Sequence, residues 1–136
     1  MYASTAAIKS AVEKLGRFPG NRENRLLIQA KSDLTIAYNL MEARWKIWNS
    51  IFWNRSNAAT KYSVNAKLKG LTFDAQTFLI TAGKLLNLYV DRYGISDSNK
   101  YLWGEIIRCL HSANRWMLRD YYHDSQCKQL KLPILI

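Results

Sequence analysis

Acidic residues are missing where basic ones are densest. Between Glu42 and Asp74 the chain holds no Asp or Glu, yet Arg44, Lys46, Arg55, Lys61, Lys67 and Lys69 all fall there. A solvated protein face normally mixes both signs of charge. A one-signed run therefore points to a polyanion partner, because clustered cations attract phosphates and release their counterions. Cysteine is also scarce. Cys109 and Cys127 are the only two in 136 residues, too few for a disulfide framework, and both read as reduced thiols. The first residues, Met1 to Lys9, have no apolar core of the signal-peptide kind, so a cytoplasmic protein is expected. No run is apolar enough to span a bilayer. The best candidate, residues 34–53, is interrupted by Glu42, Arg44 and Lys46, and no membrane partner is expected. The glycines are scattered singly, which excludes a phosphate-cradling loop.

What the chain does contain fits one folded unit. Hydrophobic residues make up 49% and charged residues 22%, the balance of an ordinary globule. The formal net charge is +10, from 20 Lys and Arg against 10 Asp and Glu, which suits a nucleic acid or another anionic surface and says nothing of fold. Helical periodicity dominates. The reading is all-α: a single helical bundle of about four to five helices over residues 1–136, with a long second helix and a short tail at 128–136. The aliphatic end of that tail is expected to dock on the domain or on a neighbour.

The spacings predict a first helix over about Ala6–Leu15, with Ser4 or Thr5 as N-cap and Gly16 and Pro19-Gly20 as its stop. Asn21 is the expected cap of the second helix. Its stripe is Leu27, Ala30, Leu34, Tyr38, Met41, Trp45, Trp48 and Phe52. On that stripe Trp45 and Trp48 read as core residues, while Trp53 lies off it, a candidate for base stacking or an inter-subunit contact. Ile36, Leu40, Ile47 and Ile51 also fall off the stripe, so the helix is apolar on most sides and an intermolecular contact is one way to cover it. Residues 57–70 alternate apolar and polar, but no second strand exists to pair with them. They are expected to form a basic connecting segment ending at Gly70, with Thr72 capping a third helix and Gly94 closing it.

A fourth helix is expected to run to about Tyr122. Leu102, Ile106, Leu110, Ala113, Met117 and Tyr121 share its apolar side, and Trp103 and Trp116 border that side. Arg115 and Arg119 each fall within about 20° of Arg108 on the opposite side, the three spanning about 16 Å. Arginine suits bidentate phosphate contact. On most helices such a stripe is merely the solvated face. Two features count against that here: no acid lies at its centre, Glu105 and Asp120 falling toward the flanks, and the same chain carries the acid-free window. The expected nucleic-acid-binding residues are Arg55, Lys61, Lys67, Lys69, Arg108, Arg115 and Arg119.

Catalytic and metal sets fail on spacing. Cys109 and His111 are two apart on a helix and point about 160° from each other, which leaves only His123 and Cys127 with workable zinc spacing. His123-Asp124 has no later acid to complete a metal-dependent phosphohydrolase set. The Arg-to-His spacing of small helical ribonucleases of prokaryotic defence systems is not met by Arg119 and His123 or by Arg108 and His111. No catalytic residue, metal or cofactor is expected, and the chain reads as not an enzyme.

A short, basic, all-helical chain without a catalytic set resembles the small subunit of multi-protein, Cascade-like CRISPR effector complexes. The resemblance rests on the acid-free Trp45–Lys69 segment, the Arg108, Arg115 and Arg119 face and the helix plan. It covers most of the chain and is architectural. It implies copies stacked head to tail, other subunits as partners, and basic surfaces that contact the crRNA–target duplex or the displaced DNA strand. It implies no chemistry, cleavage being the work of other subunits. Two other readings stand beside it. One is a helical structural or interaction protein, such as a phage or toxin–antitoxin module. The other is a small helical nuclease built around Arg119, His123 and Asp124.

Overall fold

The computed structural model describes residues 1–53 and 58–120, with the side chains of 51–53, 58–63 and Asp120 left aside. Four α-helices follow one another, α1 (Ala3–Leu15), α2 (Arg25–Trp53), α3 (Ala58–Tyr93) and α4 (Lys100–Asp120), with a 3₁₀ turn at Asp97–Asn99 before the last. The chain is all-helical, and its second helix is long. None of these helices is long and apolar enough to cross a membrane.

Short connections make sequential helices antiparallel neighbours. α1 packs on α2 and α4, α2 on α3, and α3 on α4, so the four close into a ring around one core. That core takes Ile8 and Leu15 from α1, Leu34 and Met41 from α2, Leu79 and Leu86 from α3, and Leu110 and Met117 from α4, all fully buried. One end is closed by an aromatic cluster. Phe18, just after α1, lies 5.1 Å from the Trp103 ring and 5.8 Å from Tyr89, and Tyr89 stacks on Trp103 at 5.6 Å. Toward the other end, Tyr2 meets Trp45 edge-on at 4.9 Å.

The helix starts differ from those expected. Tyr2, in extended geometry, precedes α1, and Ser4 and Thr5 lie inside the helix with both side chains buried. They are part of the packed face, and neither hydroxyl caps the helix or has a hydrogen-bond partner among the described residues. Asn24, not Asn21, caps α2. Its Oδ1 accepts from the amides of Leu26 at 3.0 Å and Leu27 at 3.4 Å, which satisfies donors that have no partner within the helix. Asn21 serves the preceding helix instead, its Nδ2 donating to the carbonyls of Gly16 and Phe18 at 3.1 and 2.7 Å.

The largest correction concerns residues 57–70. From Ala58 onward they belong to α3, which runs unbroken through Gly70 and Thr72 to Tyr93. Thr72 is buried and donates its hydroxyl to the Leu68 carbonyl at 3.2 Å, the back-bond of a mid-helix threonine. The alternation of Tyr62, Val64, Ala66 and Leu68 carried no strand because a helix satisfies its backbone groups without a partner. Of those whose side chains are described, Leu68 is the one that is buried. Gly94 ends the helix as expected, with φ of 67° and its amide bonded to the Val90 carbonyl at 2.8 Å.

α2 and α3 outrun the rest of the bundle. α1 starts beside Trp45, so the eight residues 46–53 continue about 12 Å past it. Of the residues described between Arg44 and Leu68, no side chain is buried. Trp48, expected in the core, is 43% exposed for this reason: the stripe continues, but no described helix lies opposite it. The acid-free window and this two-helix extension are nearly the same stretch of chain.

Candidate nucleic-acid interface

Helix α4 presents the arginine face where it was expected. Ile106, Leu110, Ala113 and Met117 are fully buried on one side, and Arg108, Arg115 and Arg119 are exposed on the other. The three arginines are not equivalent. Arg108 Nη2 donates to Glu105 Oε1, three residues back on the same helix. Glu105 Oε2 also lies 3.7 Å from Lys14 Nζ of α1. The flanking acid expected near this face thus neutralises its end at Arg108, through an i,i+3 pair that leaves the centre of the stripe without an acid among the described residues. Burial raises the Glu105 pKa, but Arg108, a hydrogen bond from Tyr101 and Lys14 together outweigh it, so the carboxyl titrates below its ordinary value of 4.5. Arg108 is tied into a polar seam between α1 and α4 in which Lys14 also donates to Ser10 Oγ at 3.1 Å and Cys109 Sγ at 3.7 Å.

Arg115 and Arg119 form no ion pair among the described residues. They stand one turn apart in the second half of α4. Arg119 also lies in the last turn, where a cation complements the carbonyl end of the helix. Its guanidinium carbon sits 5.2 Å from the centre of the Trp116 ring.

The basic residues of α3 divide by direction. Gln76 Nε2 donates to Asn114 Oδ1 at 2.6 Å, which fixes the level at which α3 and α4 meet. Lys69 is seven residues before Gln76 and within about 20° of its direction, so it faces the α4 side about 10 Å along. Arg119 is five residues beyond Asn114, about 8 Å along the antiparallel helix in the same sense. Lys69, Arg115 and Arg119 thus lie toward the same end of the molecule, near the root of the extension, although Arg115 and Arg119 point about 100° and 140° away from the Asn114 direction that faces α3. Lys67, two residues from Lys69, points about 160° away and joins a different face; both lysines are exposed. Arg55 lies outside the described residues. Lys61 is on α3, and its side chain is not among those described.

Two residues change role. Arg44, part of the acid-free window, is only 6% exposed and lies over the Tyr2 ring at 4.7 Å, so it belongs to the packing of α1 on α2. Trp116, which bordered the apolar side in the sequence reading, is 37% exposed. Two signals pointed that way: Trp116 lies about 100° from Met117 on the helix, and Arg119 follows it at i+3. The side chain of Trp53 is not among those described, and His123, Asp124, Cys127 and the tail at 128–136 lie outside the described residues. No protein-family model, curated protein or solved structure matches the chain.

Proposed function

We propose that this chain is a non-catalytic nucleic-acid-binding subunit of a larger ribonucleoprotein, of the kind built by crRNA-guided CRISPR surveillance complexes. The observation that carries the reading is the exposed Arg115 and Arg119 on the solvent face of α4, toward the same end of the molecule as exposed Lys69 and the acid-free helical extension, with no acid paired to either arginine among the described residues. Such a surface contacts phosphates and reads no sequence, and its affinity falls steeply with salt. Binding of the full chain to labelled oligonucleotides across a salt series tests this. The expected result is a negative linear slope of log affinity on log salt that shallows by about two when Arg115 and Arg119 are both replaced by Glu. A flat salt response, or an R115E/R119E variant that binds like the parent, overturns it.

A second reading is favoured by different residues. Ile28 and Ile36 are 44% and 37% exposed on α2, and a groove of about 280 Å³ lined by Val12 and Tyr38 runs between α1 and α2. Under this reading the chain is a helical interaction module, and its charge is incidental. A defined oligomer in sedimentation that ignores added nucleic acid supports the second reading over the first.

A further inference from the structure

We propose that Trp116 is a stacking platform for unpaired bases, so that the basic end of the bundle takes single-stranded nucleic acid in preference to duplex. This rests on the nucleic-acid reading above and narrows it to one class of strand. The core does not require an indole at this position. Ala113 and Met117, on the buried side of the same helix, are fully covered, whereas Trp116 leaves 37% of its surface in solvent. Covering exposed indole surface with an apolar partner is favourable in water. Arg119 lies over the ring at 5.2 Å and restrains it, leaving less side-chain freedom to be lost when a base arrives.

Charge complementarity selects the occupant. Arg115 neighbours the indole in sequence, and Arg119 sits against its ring; both are exposed, and neither is ion-paired among the described residues. An aromatic ring flanked on one side by two guanidiniums matches a chain that alternates flat bases with phosphates. A single strand turns its base faces outward, and any base stacks on an aromatic ring, so the contact is indifferent to sequence. A duplex hides those faces in its own stack and offers only phosphates and groove edges. An acidic peptide would use the guanidiniums and leave the indole idle.

The test uses the full chain and three probes of equal phosphate number: a mixed-sequence single strand, the same strand with abasic sites, and a duplex. The single strand is expected to bind most tightly. Trp116→Ala should weaken it about tenfold, the weight of one base–aromatic stack, and leave the abasic strand and the duplex unchanged. Trp116→Phe should restore most of the loss, and unaltered helicity of both variants keeps the comparison sound. Equal binding of the parent chain to all three probes, or an equal loss on all three in W116A, overturns this inference and leaves the nucleic-acid reading standing. Absence of binding to any probe overturns both. A W116A variant that changes sedimentation but not binding assigns the indole to self-association and also overturns the proposal.

Discussion

The four-helix section and the two-helix extension are built from the same kinds of residue and reach opposite outcomes. In the ring of four helices, apolar positions such as Leu34, Leu79 and Leu110 are fully buried. In the extension the same α2 stripe carries Trp48 into solvent. The difference lies in the neighbours. α1 has 13 residues and α2 has 29, so the stripe on α2 is longer than the helix available to cover it. An apolar face specifies which way a side chain points, and the lengths of the other helices decide whether anything meets it there. The charge follows the same division: the acids of α2 and α3, Asp33, Glu42, Asp74 and Asp91, all lie in the closed section, and the extension has none.

The largest expected effect breaks this comparison directly. Leu110→Ala removes a fully buried side chain from the middle of the ring and should cost about 2–5 kcal/mol of unfolding free energy, through lost transfer energy and the cavity left behind. Trp48→Ala, despite deleting a larger side chain, should cost about 1 kcal/mol or less, because the indole is half in water already. Urea unfolding of both variants decides it. If Trp48→Ala costs as much as Leu110→Ala, the extension is packed like the ring and the contrast is wrong.

Much of this fold could be read directly from the spacings. The core faces of α2 and α4, the stop at Gly94 and the opposition of the arginines to Leu110 and Met117 all follow from a period of 3.6, which depends on the chain alone. The errors arose where a partner decided the outcome. Ser4 and Thr5 look like caps until the packing of α1 buries them. Residues 58–70 look like a connection because their alternation suggests a strand with no partner, and they stay helical because helix α3 needs no neighbour to satisfy its amides. Arg44 counts toward the charge of the acid-free window, but its place over the Tyr2 ring gives it to the packing of α1 on α2. For the candidate site, Arg115 and Arg119 could be read from the wheel. The level of Lys69 relative to them could not, because it depends on where Gln76 meets Asn114.

Gly70 sharpens the boundary between the two regions. It sits inside α3, two residues past Leu68, the first residue of that helix to be buried among those described, and a Cβ built there meets nothing within 4 Å. A glycine within a helix costs about 0.5–1 kcal/mol relative to alanine through the freedom it has in the unfolded chain. Gly70→Ala should therefore raise the unfolding free energy by about that amount. It should also slow amide exchange in the preceding turns of α3 more than in α1. A loss of stability in G70A would mean that α3 is interrupted at this point, as the spacing first implied, and that the extension is not continuous with the ring.

Glu105 gives the smallest effect and separates the paired half of α4 from the unpaired half. Its folded pKa is held below the ordinary value, since Arg108, Tyr101 and Lys14 outweigh the effect of burial. The unfolded chain therefore binds the proton more readily, and stability falls with acidity. The contribution is complete above the unfolded pKa near 4.5 and is lost as pH drops through the lower folded value. Glu105→Gln should accordingly flatten the acid limb of the stability–pH curve below that point. At neutral pH the same variant releases Arg108 and extends the unpaired face by two turns toward the start of the helix, so affinity for a polyanion should rise a few-fold at low salt and converge on the parent as salt screens it. The two readouts are independent. A flattened acid limb without gained affinity would confine the polyanion contact to Arg115, Arg119 and Lys69, the end of the molecule where the acid-free extension begins.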